Sequence, residues 1–364
     1  MAIQSNTHTY PKNHTKQRVA HSFAPQWVTA TFFSTLLFSG LIHSSVALSQ
    51  TSESTEHTQT AALPALNLAK HITLSGVSSG AYMAGQYHQA FAEHVSGVAM
   101  LAAGPVYCAQ GDLRQALGHC MANPQAQPDL AAIEQALETL RAKGLLAPLS
   151  AITKSRVWIF SGTADQTVLP QVSAALAAQY AQWLPAEQLA YINDQPFAHH
   201  FPTDTANLTP CDQSVAPFIG SCQYDAAGKL LSHLLNKPVT RASVPTGQLY
   251  RINQHQLAPS SKAQLAEHGY AYIPAACAQG AACELHVSFH GCRQDASQIG
   301  EQYVRRTGLN AYADASQLVM LYPQVEKSAF NPMGCWDWWG YSGADYLSKE
   351  GKQLQAVNQL IEAL

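Results

Sequence analysis

The sequence predicts an α/β fold: a single large domain with a mostly parallel central sheet, helices on both faces and disulfide bonds holding its loops. Three observations predict it. Short apolar runs of strand length alternate with longer helix-like stretches, the pattern of a parallel sheet buried on both sides. A Gly-x-Ser-x-Gly turn, Gly76 to Gly80, stands between one such strand and one such helix. Eight cysteines follow an N-terminal apolar segment, and an even count in an exported chain reads as disulfides.

The elements follow in order. Residues 71–75 (HITLS) predict a strand that runs into the glycine turn, 81–94 a helix and 97–103 a buried strand. A Cys-bounded loop precedes a helix over 129–143 and a strand over 156–161 (RVWIFS). A helix over 170–183 and a strand over 187–193 come next, then strands over 247–253, 269–274, 284–290 and 317–323 and a C-terminal helix over 350–364. The Pro- and Cys-punctuated stretch 202–245 reads as an inserted loop or a linker between halves.

Composition narrows the function. The chain has 364 residues, 47% hydrophobic and only 12% charged, with 20 basic against 23 acidic side chains. That is material for a sizeable core, with no basic field for nucleic acid and no Lys/Arg patch for a membrane surface. A weakly charged surface suits a protein that meets neutral, insoluble material. Residues 1–26 are polar and carry Lys12, Lys16 and Arg18 without an acid; 27–42 are apolar; Ser45-Val46-Ala47 offers small residues where a signal peptidase reads. Residues 1–47 are therefore expected to be a signal peptide, 48–64 a disordered polar leader and 65–364 the catalytic domain, secreted or periplasmic, monomeric and without stable membrane association. An uncleaved anchor is the competing reading, but the 16-residue apolar run is shorter than the roughly 20 residues of a span. Local pairing of the cysteines gives Cys108–Cys120, Cys211–Cys222, Cys277–Cys283 and Cys292–Cys335, although spacing alone does not fix connectivity. Without a Cys-x-x-Cys, no metal is expected.

The chemistry centres on Ser78. A serine between a strand and a helix sits on a sharp turn that lifts its hydroxyl to the C-terminal edge of the sheet, and the helix N-terminus favours a developing oxyanion. Serine needs a base, oriented by a carboxylate, and in the α/β-hydrolase arrangement these come in the order Ser, acid, His. Asp165 follows the strand over 156–161. The pair His199-His200 follows the strand over 187–193; His200 is taken as the base, with His199 as the fallback. The oxyanion hole should use the Ser79 N–H and a second N–H from a His-Gly loop. No such loop precedes Ser78, but one lies far downstream, at His290-Gly291-Cys292. Placing residues 247–364 ahead of residue 65 restores the usual order. This predicts a circularly permuted α/β-hydrolase in which Cys292, or its immediate neighbour, supplies the second donor.

The stretches LSGVSSGAYMA (74–84), SGTADQTV (161–168), HHFPT (199–203), YIPAACAQGAACELHVSFHGC (272–292) and NPMGCWDWWGY (331–341) resemble the extracellular poly(3-hydroxybutyrate) depolymerases of the permuted, type 2 kind. The resemblance implies a secreted serine esterase without cofactor, acting on a short-chain polyhydroxyalkanoate. It implies a triad on Ser78, Asp165 and His200, and oxyanion donors at Ser79 and Cys292. Family members often add a polymer-binding domain at the C-terminus, whereas this chain reads as a single-domain form. Trp336, Trp338 and Trp339 are expected to line a cleft for the polyester, because three indoles in four residues do not all pack inward easily. If Cys335 pairs with Cys292, this loop is tied to the oxyanion loop. Competing readings are another secreted carboxylesterase, such as a feruloyl or acetyl-xylan esterase, a non-catalytic polymer-binding protein on the same scaffold, and a membrane-anchored accessory protein.

Overall fold

A computed structural model describes residues 62–259 and 265–364. Its strands are β1 (Asn67–Val77), β2 (Val95–Leu101), β3 (Arg156–Phe160), β4 (Leu189–Ile192), β5 (Phe201–Thr203), β6 (Thr209–Pro210), β7 (Ile219–Ser221), β8 (Gln248–Asn253), β9 (His268–Ile273), β10 (Ala282–Phe289) and β11 (Leu318–Tyr322). Eight of them form one sheet in the order β4-β3-β2-β1-β10-β11-β9-β8. All neighbours from β4 through β11 run parallel; β9 pairs antiparallel with both β11 and β8.

This order confirms the permutation. Read from β8 to β11 and then from β1 to β4, the eight strands lie across the sheet in sequence, with one exchange, that of β10 and β11. No other rearrangement is needed. Residues 62–65 and 363–364 line the same surface hollow. Ends this close make a cut at this point sterically cheap.

Side chains alternate between two buried layers, as the pleat demands. Val98 and Met100 of β2, Val157 and Ile159 of β3, and Val319 and Leu321 of β11 enter one layer. Their neighbours Ala99 and Leu101, Trp158 and Phe160, and Leu318 and Met320 enter the other. The two central strands add a polar ladder to this apolar frame. Thr73 stands opposite His286, and Ser75 opposite Ser288. Thr73 Oγ1 and Ser75 Oγ each lie 2.8 Å from a ring nitrogen of His286, and Ser75 Oγ donates to Ser288 Oγ at 3.0 Å. A slip of β1 against β10 would leave these buried groups unpaired, at a cost of about 1–3 kcal/mol each. The ladder therefore holds the two strands that end at the glycine turn and at the His-Gly loop.

The stretch 202–245 is not a linker. It carries a small sheet ordered β5-β7-β6, the Cys211–Cys222 disulfide and the helix Ala226–Leu234. Asp225 caps that helix, accepting from the Gly228 N–H at 2.8 Å, and Leu230, Leu231 and Leu234 are buried in the layer below β2 and β3. All four disulfides join the cysteines that local pairing expects. The expected signal peptide and nearly all of the expected polar leader lie outside the described residues. Among the described residues, no helix is long and apolar enough to cross a membrane.

Candidate active site

β1 ends in the glycine turn, and the helix α1 (Ser79–Phe91) starts immediately after it. Ser78 has φ 56° and ψ −125°, a backbone conformation that side-chain-bearing residues rarely adopt. The turn is locked from below: the Ser78 N–H donates to Leu101 O at 2.9 Å. Its glycines are there for space. A Cβ on Gly76 would stand 2.1 Å from Gly80 O, and one on Gly80 would stand 2.2 Å from Phe289 O. No other residue fits either position without moving the strand.

Asp165 lies on the loop after β3 and is fully buried. Its Oδ1 accepts the N–H groups of Thr167 and Val168 at 2.8 and 2.9 Å, which fixes the carboxylate's orientation. Its Oδ2 lies 2.7 Å from Nδ1 of His199, and His199 Nε2 lies 2.9 Å from Ser78 Oγ. With Nδ1–H donating to the carboxylate, Nε2 is free to accept from the serine hydroxyl. The acid and base loops are also laced together, since the Thr163 and Ala164 N–H groups donate to Gln195 O and Phe197 O.

The expectation that His200 is the base is corrected here: His199 occupies that place. At the mouth of β5, consecutive side chains point to opposite sides, so only one of the pair can face Ser78. His200 turns toward the disulfide hairpin and donates from Nε2 to Cys211 O at 2.8 Å. Its ring lies against the backbone of Gly220, where a Cβ would stand 2.4 Å from Cε1. Burial holds its imidazole below the ordinary histidine range. His200, Cys211 and Cys222 are close enough together to suggest a metal ligand set, but both sulfurs are consumed in the disulfide.

The His-Gly loop follows β10, directly beside the glycine turn. His290 is buried, and its Nδ1–H donates to Gly291 O at 2.8 Å while Nε2 accepts from the Val325 N–H at 3.3 Å. A trans peptide carries its C=O and N–H on opposite sides, so pulling Gly291 O toward His290 turns the Cys292 N–H the other way. The Gly291 N–H is itself committed to Gln294 Oε1 at 2.7 Å. That leaves Cys292 as the next donor of the loop. Gln294 also donates to Pro217 O and Phe218 O, both at 3.0 Å, and so joins this loop to the base hairpin. Sequence reasoning missed Gln294; its signal was a neutral donor–acceptor side chain two residues past the loop.

These groups open into a cleft of about 570 Å³ lined by Ser78, Ser79, His199, Cys292, Trp338 and Trp339 among others. The three tryptophans part company. Trp338 stacks on Tyr82 with ring centroids 4.3 Å apart, and Trp339 meets it edge-on at 5.7 Å. Trp336, expected in the cleft, is instead fully buried against Phe289 and His290. Its backbone N–H reaches Ser79 Oγ at 3.3 Å, so it braces the turn from behind. Asp337 makes the bend that separates them: its carboxylate accepts the N–H groups of Trp339, Gly340, Tyr341 and Ser342. The Cys292–Cys335 disulfide ties this aromatic loop to the His-Gly loop. Leu113, Leu117, Phe330 and Met333 also line the cleft and are exposed, Phe330 by 83%. Leu113 and Leu117 stand at the two ends of the short helix Leu113–Leu117, Phe330 and Met333 lie on the loop after β11, and only the fold brings the two pairs together.

The chain is similar to known proteins over most of its length. A family model described as Esterase PHB depolymerase matches residues 269–363. A poly(3-hydroxybutyrate) depolymerase of Delftia acidovorans is 39% identical over 306 residues, covering 82% of this chain and 61% of that protein, so the chain spans about three-fifths of that relative's length. A polyhydroxybutyrate depolymerase of Talaromyces funiculosus is 31% identical over 314 residues, which cover 81% of this chain and 90% of that one. The crystal structure of PHB depolymerase from Penicillium funiculosum matches with a TM-score of 0.76 at 30% identity, over 82% of this chain and 98% of that chain. A PHB depolymerase complexed with an R3HB trimer matches with a TM-score of 0.76 at 29% identity, with the same coverage. With a relative above 30% identity matched over nine-tenths of its length, and the fold shared over 82% of this chain, the chain belongs to the polyhydroxybutyrate depolymerase family.

Proposed function

We propose that the chain is a secreted serine esterase that hydrolyses ester bonds of short-chain polyhydroxyalkanoate, with poly(3-hydroxybutyrate) as its substrate. The observation that carries this is the hydrogen-bonded chain from Ser78 through His199 to Asp165, ending in an apolar cleft of a depolymerase-family fold. His199 takes the Ser78 proton as the hydroxyl attacks the ester carbonyl, and Asp165 stabilises the imidazolium that forms. The N–H groups of Ser79 and Cys292 hold the oxyanion. The alcohol half leaves with the proton from His199. Water, activated by the same imidazole, then adds to the acyl-enzyme, which releases the acid and restores Ser78.

Trp338 and Trp339 offer apolar walls to the methyl and methylene groups of the chain. The exposed rim of Leu113, Leu117, Phe330 and Met333 gives an insoluble polyester an apolar surface to rest on. Four disulfides fit an oxidising compartment, in keeping with export.

The test is product analysis after incubation with poly(3-hydroxybutyrate) film. Soluble 3-hydroxybutyrate and its short oligomers are expected from the native protein and none from Ser78→Ala. An intact film, with soluble aryl esters still cleaved, would move the assignment to another carboxylesterase. Failure of a fluorophosphonate to label Ser78 would remove catalysis altogether.

A further inference from the structure

We propose that Arg293 binds the terminal carboxylate of the polyester and thereby directs cleavage to the carboxyl end of the chain. The proposal rests on the substrate reading above and deepens it.

Among the residues lining the cleft, Arg293 alone carries a fixed charge, and no carboxylate lines it. It directly follows Cys292, on the loop closed by the Cys292–Cys335 disulfide. Its backbone is held at φ 61°, in the left-handed region, with its N–H donating to Met333 O at 2.8 Å. The side chain is exposed, and Nε–H points to the thioether of Met333 at 3.1 Å, a weak acceptor. No ion pair among the described residues includes it. Other arginines differ: Arg141, Arg241 and Arg305 lie 2.7–2.8 Å from carboxylates. A guanidinium at the edge of a neutral cleft, with most of its donors unused, is suited to a planar carboxylate, which it can hold through two parallel hydrogen bonds.

The substrate has one such group. A hydroxyalkanoate polyester is neutral along its length and ends in a single carboxylate. When Ser78 attacks an ester, the acyl half stays on the serine and the alcohol half leaves, and the alcohol half is the one that carries the carboxyl end. A carboxylate held by Arg293 therefore sets an ester near that end over Ser78, and a short hydroxy acid departs. Water then adds its hydroxyl to the acyl carbonyl and returns its proton to Ser78 by way of His199. The longer piece is released with a new carboxylate. That new end is the same chemical group, so it refills the Arg293 position after a shift of the chain, and cleavage repeats from the same end.

The test uses the full chain with the 3-hydroxybutyrate trimer as free acid and as methyl ester. Methylation removes the charge and leaves every ester bond in place. The readout is the ratio of kcat/KM for free acid over methyl ester within each protein, so any general loss of activity cancels. A ratio of about 10 is expected for the native chain, the effect of one charge-assisted contact. It should fall to near 1 in Arg293→Ala and lie between these in Arg293→Lys, which keeps the charge but not the fork. A native ratio of 1 or below, or a ratio that Arg293→Ala leaves unchanged, overturns the proposal while leaving the substrate reading intact. If neither trimer is cleaved while an aryl ester is, the substrate reading fails and takes the proposal with it.

Discussion

The nucleophile turn and the base hairpin meet in one hydrogen bond, Ser78 to His199, yet they are built by opposite means. The turn belongs to regular structure. A central strand, a helix and two glycines without room for a Cβ fix Ser78, and the polar ladder below fixes β1 against β10. The base sits on irregular chain. The segment 198–200 is held at both ends by one acceptor, Cys211 O, which takes the Ala198 N–H at 2.9 Å and His200 Nε2–H at 2.8 Å. Ser214 Oγ donates to His199 O at 3.0 Å from the same disulfide-closed loop. Regular structure positions a residue through its neighbours in sequence; the hairpin positions one through contacts that no local pattern announces.

The largest effect separates the two histidines. Replacing Ser78 or His199 with Ala should lower the rate on a soluble ester by about 10⁴-fold or more, with the fold retained. Replacing His200 with Gln should cost less than about tenfold, since it acts only by holding the loop. Steady-state kinetics on the three variants measures this. Equal losses at both histidines would mean that the hairpin does not fix which of them serves Ser78.

That contrast explains how far the sequence could be read. Ser78, Asp165 and the His-Gly loop follow strands with clear boundaries, so their placement at one sheet edge was legible, and with it the permuted strand order. The choice between His199 and His200 was not. It depends on which way the chain enters β5, and the Cys211 carbonyl and the space over Gly220 decide that. Trp336 was misplaced for a related reason. Its departure from Trp338 and Trp339 is set by the bend around the Asp337 carboxylate, and no spacing rule encodes a carboxylate that accepts four N–H groups.

A smaller effect follows from opening the hairpin. Exchanging Cys211 and Cys222 together for Ser removes the closure of an 11-residue separation. The cost is about 2–4 kcal/mol in stability by the chain-entropy estimate. Activity should fall further than stability alone explains, by about 100-fold in kcat, since misplacing a base by about 1 Å is worth that much. KM should change less than kcat, because of the residues lining the cleft only Ser214 and Phe218 lie between the two cysteines. The kcat and KM of the double variant, measured well below its Tm, check this; an unchanged kcat would show that hydrogen bonds alone hold His199.

The smallest effect is on the other side, where acid is the lever. His286 lies in the ladder under the nucleophile turn, and His88 lies on α1, bonded to Tyr180 and Ser155. Both are fully buried, and burial pushes each imidazole down to about 3. An unfolded histidine takes up its proton near pH 6.5, but these two stay neutral in the folded chain until pH falls to about 3. Between those values the unfolded state binds more protons than the folded state. Stability is therefore full above about pH 6.5 and is lost as pH falls, by about 1.4 kcal/mol per pH unit for each histidine once the unfolded side chain is protonated. Urea unfolding at pH 7 and pH 5 should show this loss, and His88→Gln should make it smaller by the share of one histidine even if the variant is less stable at both values. The hairpin adds a share of its own, because burial also holds the His200 imidazole below the ordinary histidine range. A pH slope that His88→Gln leaves unchanged would mean that the acid sensitivity of the turn's frame arises elsewhere.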